Sequence, residues 1–290
     1  MPKKTPTLMD LYRALIAVTP TITGQLSDGP FDRENARFIS KLTARGITTL
    51  AELLEALPTL PPKLKQFGVL WLHWTRAPGT ESVFLRLLHD DPAVRLTCAH
   101  ALGMLAKPRT IRKFVQIGTA QLSSPEPDVM WLDAVIQGLK FTNTPEAADV
   151  ILTIYERTDL PGWLRGDAGD ALGFNSKLRD RRTRFFRRAW KTALSGLDDV
   201  DIEVQFWSMY VMAQLATNGR QRSNECFEPA LARLREIAAT DQRFAPGFWW
   251  PMCDEAKDAI EVIETGTGPQ IDAAERWQGH TERGPCSKRY

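Results

Sequence analysis

Asp91-Pro-Ala-Val-Arg-Leu-Thr-Cys-Ala-His-Ala-Leu-Gly-Met-Leu105 is the stretch that decides the fold, because the chain returns to it three more times. Val94, Cys98, Ala101, Leu102 and Leu105 recur at helical spacing and predict one apolar stripe on a helix. Asp90 or Asp91 can cap the first turn, and Pro92 fits there because its missing N–H would have no partner anyway. The stripe therefore predicts a helix with one face in a core.

A shift of 35 residues takes Pro92 to Pro127 and opens a second copy, Pro127-Asp-Val-Met-Trp-Leu-Asp-Ala-Val-Ile-Gln-Gly138. The same shift again gives Gly162-Trp-Leu-Arg-Gly-Asp-Ala-Gly-Asp-Ala-Leu-Gly173, where Arg165, Ala171, Leu172 and Gly173 repeat Arg95, Ala101, Leu102 and Gly103. A looser fourth copy stands 40 residues further on, with Ile202, Val204, Val211 and Ala213. Helical text repeating at this period predicts units of two helices, none able to bury its apolar face alone, so the core must come from stacking.

The pattern Asp-Pro-x-Val-Arg-x-x-x-Ala-x-Ala-Leu-Gly resembles the second helix of a HEAT repeat, including the repeats grouped as phycobilisome-lyase-like. The resemblance implies an all-α, armadillo-like alpha-solenoid of about five HEAT-like helix pairs with helical caps at both ends. It spans about residues 61–265 and leaves residues 1–60 as an N-terminal helical cap and residues 266–290 as a polar, Gly-containing tail expected to be mobile. It says little about function, since one repeat fold serves many chemistries.

Composition narrows the classes. At 290 residues, 43% hydrophobic, the chain can bury a large core, and a net charge of +2 gives no global field of the kind a dedicated nucleic-acid binder carries. No apolar run approaches the roughly 20 residues that span a bilayer, and no secretory segment follows Met1, so a cytoplasmic protein without membrane contact is expected. Cys98, Cys226, Cys253 and Cys286 form no C-x-x-C pair, which leaves neither a zinc site nor a disulfide framework indicated.

In chain order, helices are expected over residues 8–18, 31–45 and 50–57, the last opened by a Thr49–Glu52 capping box. The run Ala44 to Leu54 fits such a capped helix start and also resembles the turn of helix-hairpin-helix DNA-binding folds. Further helices are expected near residues 63–75, 81–88, 109–122, 145–157, 177–195 and 225–239, with a last one beginning at Gly247.

The HEAT resemblance places the second helix of each unit on a concave side. Positions equivalent to Thr97 and His100 then line a groove: Leu132 and Val135, Asp167 and Asp170, Trp207 and Tyr210, with Trp131 one position earlier. Aromatic and acidic groups of this kind suit a peptide or a partner helix, or else pack between helices. His100 has no sequence neighbour that would make it a catalytic base. Arg95 and Arg165 occupy the position where the resemblance implies an inter-repeat ladder with a preceding Asp, such as Asp90 or Asp91.

One charge run stands out. Lys177, Arg181, Arg184, Arg188 and Lys191 recur at four- and three-residue steps, a basic stripe that fits phosphate, an acidic partner or plain solvent. Trp163-Leu-Arg-Gly-Asp167 also resembles the Trp and Asp pairs of DNA glycosylases built on HEAT-like repeats. No nucleophile, metal-ligand or phosphate-loop constellation accompanies it. The sequence is therefore read as a non-catalytic protein-binding scaffold without cofactor, with nucleic-acid binding through the basic helix as the alternative.

Overall fold

The computed structural model describes residues 6–14, 30–175, 183–217, 227–248 and 250–267. These are helical, with no strand among them and a single isolated bridge between Thr7 and Thr49. The chain packs as two units, Met1–Thr110 and Ile111–Tyr290.

The first unit holds α1 (residues 8–14), α2 (Pro30–Thr43), α3 (Leu50–Ala56), α4 (Pro62–Trp74), α5 (Thr80–Leu87) and α6 (Pro92–Leu105). The Thr49–Glu52 capping box forms as the sequence predicts: the Thr49 hydroxyl accepts from the Glu52 amide, and the Glu52 carboxylate accepts from the Thr49 amide at 2.9 Å. That motif starts α3. Residues 30–60, expected as a separate cap, pack on α4: Phe38 stands 4.9 Å from Phe67 and 5.8 Å from Trp71.

In α6 the expected stripe is core for Val94, Cys98, Ala101 and Leu102, each 0% exposed. Leu105 is not, at 39% exposed; the helix ends there, and Ala106 turns left-handed at φ 46°. Asp91 is the cap, accepting from the Ala93 amide. Asp90 pairs with Lys65 at 2.5 Å, and Arg95 donates to the Leu88 carbonyl.

The helix α7 (Pro108–Leu122) spans the unit boundary; the second unit continues with α8 (Val129–Leu139), α9 (Pro145–Glu156), α10 (Gly162–Gly173), α11 (Arg184–Gly196), α12 (Ile202–Ala216), α13 (Glu228–Thr240) and α14 (Met252–Thr265). Here α10 packs on α8, α9 and α12, while α12 packs on α10, α11 and α14 and α11 on α9. Small residues set the approach. The ring of Phe114, 0% exposed, lies on Gly138, where a Cβ would meet it at 2.5 Å.

Two buried polar contacts tie neighbours together. Tyr155 of α9 and Ser208 of α12 share a hydrogen bond in the core. Arg165, 7% exposed, pairs with Asp199 at 2.7 Å and donates to the Tyr155 carbonyl. Arg165 thus uses an aspartate from the segment ahead of α12, not one preceding its own helix.

The last helix starts at Met252 rather than Gly247, because Phe248 and Trp250 are drawn aside onto Phe206, their rings 3.7 and 6.0 Å from its own. Residues 15–29, 176–182 and 268–290, which include the expected tail and the start of the basic run, lie outside the described residues.

Candidate functional site

Three helices of the second unit each open one narrow stripe to solvent. Along α10 every residue from Leu164 to Gly173 is buried except Asp167 and Asp170; with Trp163 before them and Phe174 after, they form one helical face. On α12 the matching stripe is Trp207, Tyr210 and Gln214, with the buried Glu203 in line with them, and on α8 it is Met130, Gln137 and Lys140, with the buried Asp133 in line. Because α10 packs between α8 and α12, these stripes are neighbours.

Glycine on α10 lets the α12 rings settle. A Cβ at Gly166 would lie 2.8 Å from Trp207 Cδ1, and one at Gly173 would lie 2.5 Å from Tyr210 Cε1. Trp207 stands edge-on to Tyr210 at 5.3 Å and to Phe248 at 5.3 Å. Both expected groove aromatics of α12 are therefore half-buried, one flank against α10 and another at the surface. Trp131 is also half-buried, beside the α8 stripe.

The carboxylates differ in their partners. Asp170 forms an ion pair with Lys140, whose ammonium also lies 4.8 Å from the centre of the Phe174 ring. Asp133, 6% exposed, and Asp167, half-buried, have neither a hydrogen bond nor an ion pair among the described residues. Burial lifts the Asp133 carboxyl to about 6. Asp167 is lifted to about 7, first by burial and then by the charges of Asp133, Asp170 and Glu203, with Lys140 opposing. No three His, Cys, Asp or Glu side chains among the described residues converge closely enough to hold a metal ion.

The expected groove register fails on α8. Its cap is Asp128, not Glu126, the residue in register with Asp91, so the helix is turned relative to the sequence alignment. Leu132 and Val135 become core at 0% exposed, and Asp133, itself only 6% exposed, takes the side in line with Met130 and Gln137. His100 belongs to the first unit, half-buried on α6 with its ring edge-on to His73 at 6.3 Å. Burial, then the charges of His100 and Arg76, holds His73 below its usual value.

The basic stripe is broken up. Lys177 and Arg181 lie outside the described residues. Arg188 is bound to α9, donating to Asp149 at 2.6 Å, to both oxygens of Glu156 and to Thr153. Arg184 and Lys191 are exposed, the former with its guanidinium 5.0 Å from the Phe185 ring centre.

Asp133 and Glu203 were not among the sequence-derived candidates. The available signal for Asp133 was a single charge inside the apolar helix Val129-Met-Trp-Leu-Asp-Ala-Val-Ile-Gln-Gly-Leu139. Comparison of the chain with known protein families and with curated proteins finds no match.

Proposed function

We propose that this chain is a non-catalytic interaction scaffold, a HEAT-like stack whose α8–α10–α12 face holds a protein partner. The HEAT-like reading is supported by the contact order in the second unit, where α8, α10, α12 and α14 touch in succession while α9 touches α11. The observation that carries the docking reading is the combined stripe: Trp163, Asp167, Trp207 and Tyr210 are half-buried on the one side of α10 and α12 left open, with the buried Asp133 and Glu203 in line with them. Aromatic side chains with a polar tip give large contact area at low entropic cost, and such residues dominate binding surfaces.

Of the basic stripe behind the nucleic-acid alternative, Arg188 is occupied by Asp149 and Glu156, while Arg184 and Lys191 are exposed. The thiols of Cys98 and Cys253 are free and buried, which suits a reducing compartment.

The test is affinity capture with the wild-type chain, Trp207→Ala and Asp167→Arg, followed by titration of each captured protein in purified form. At least one partner is expected to lose binding to both variants. Undiminished binding of every partner to both would remove the docking reading.

A further inference from the structure

Resting on that docking reading, we propose that the α8–α10–α12 face receives a cationic side chain, an arginine or lysine from a basic segment of the partner, between Asp133 and Asp167 and beside the indoles of Trp163 and Trp207. Two features of the face lead there independently.

The first is charge left unanswered. Asp133 is 6% exposed and has no hydrogen bond or ion pair among the described residues, and its half-buried neighbour Asp167 has none either. A buried carboxylate without a partner is costly, and proteins ordinarily pair it. The groups around Asp167 are Asp133 and Lys140 from α8, Asp170 from its own helix and Glu203 from α12, three acids against one base. From α9, Tyr155 lies against Gly169 and brings no charge. The single base is committed, since Lys140 pairs with Asp170.

The second is that the face already uses the proposed chemistry internally. Lys140 meets a carboxylate, Asp170, and an aromatic ring, Phe174, at once. One turn back along α10, Asp167 and Trp163 offer a carboxylate and a ring with the same stripe spacing, and Trp207 is laid against Gly166 next to Asp167. A guanidinium fits this setting well, because it pairs with carboxylates through a planar fork and stacks on indole. Binding should release the protons that Asp133 and Asp167 hold near neutral pH, so affinity rises with pH.

Random peptides displayed on phage are selected on the full chain at about pH 8. The expected products carry arginine or lysine. As synthetic peptides they are expected to lose about tenfold or more in affinity with Asp133→Asn/Asp167→Asn, and to weaken by a similar factor on the wild type at about pH 5.5. Lys191→Ala, on the exposed side of α11, is expected to change nothing. The wild-type pH series stands even if the double variant folds poorly, which far-UV circular dichroism would show.

Peptides without basic residues that lose affinity in Trp207→Leu would overturn the cation assignment and leave the docking reading intact. Peptides indifferent to both Trp207→Leu and the double variant would overturn both. Duplex DNA that displaces the peptides from this face would also overturn both, in favour of nucleic acid.

Discussion

Replacing Asp133 with asparagine should stabilise the protein at alkaline pH and lose that advantage in acid. In the folded chain this carboxyl is lifted from 3.8 to about 6 by burial alone. A group whose folded value is raised contributes stability below its unfolded value, and loses it as pH climbs through the folded value. Asp133 should therefore weaken the wild type between about pH 4 and about pH 7. At about 1.4 kcal/mol per tenfold change in proton affinity, the full lift corresponds to about 3 kcal/mol, and water at the carboxylate edge reduces it to ~1–2 kcal/mol.

The asparagine in the variant is neutral at every pH, and its amide lacks a partner equally at both ends of the range. That cost, about 1 kcal/mol, cancels when two pH values are compared. Urea denaturation followed by circular dichroism at about pH 5 and about pH 8 reads the effect. About half of the effect is already present at pH 5, so Asp133→Asn should gain ~0.5–1 kcal/mol relative to wild type on going from the lower to the higher pH. An equal difference at both pH values, or a larger one in acid, would refute the reasoning that Asp133 is buried without a cation.

Other consequences follow from packing and pairing. Gly138→Ala drives a methyl into Phe114, a core ring 0% exposed, and should cost ~1–3 kcal/mol of thermal stability despite alanine's better helix propensity. Gly173→Ala meets the half-buried Tyr210 instead, which can swing outward, so its loss in thermal denaturation should be the smaller of the two. Arg165→Gln strands Asp199, 11% exposed, and should cost ~3–5 kcal/mol by urea denaturation, with Arg165→Met/Asp199→Leu recovering a large part. In the first unit, Thr49→Ala removes the capping hydroxyl of α3 and should cost about 1 kcal/mol, read as faster amide exchange at residues 50–53.

The helices were legible because their signals are local. Thr49 and Glu52 announced α3, Asp91 and Pro92 announced α6, and Val94, Cys98, Ala101 and Leu102 marked its core face by spacing alone. Leu105 broke the pattern because a helix end releases its last turn from the core, which the period does not encode.

The site was half legible. The third and fourth copies put Asp167, Asp170, Trp207 and Tyr210 at equivalent positions, and all four are half-buried rather than core, since α10 and α12 start in the expected register. On α8 the capping choice between Glu126 and Asp128 rotated the helix, and one wrong start exchanged Asp133 for Val135. Arg188 read as part of an open stripe because its partners, Asp149 and Glu156, lie on another helix and share no sequence pattern with it. The glycines of α10 are the bed on which Trp207 and Tyr210 lie, a role that their spacing alone does not announce.

The most direct measurement is a carbon-13 NMR titration of the aspartate carboxyls in the full chain, assigned by Asp133→Asn and Asp167→Asn. As two neighbouring acids they should titrate as a coupled pair, with apparent values of about 6 and about 7. Titration of both near the ordinary aspartate value of about 3.9 would mean that the carboxylates are solvated or already paired, and would contradict a face built to meet an incoming cation.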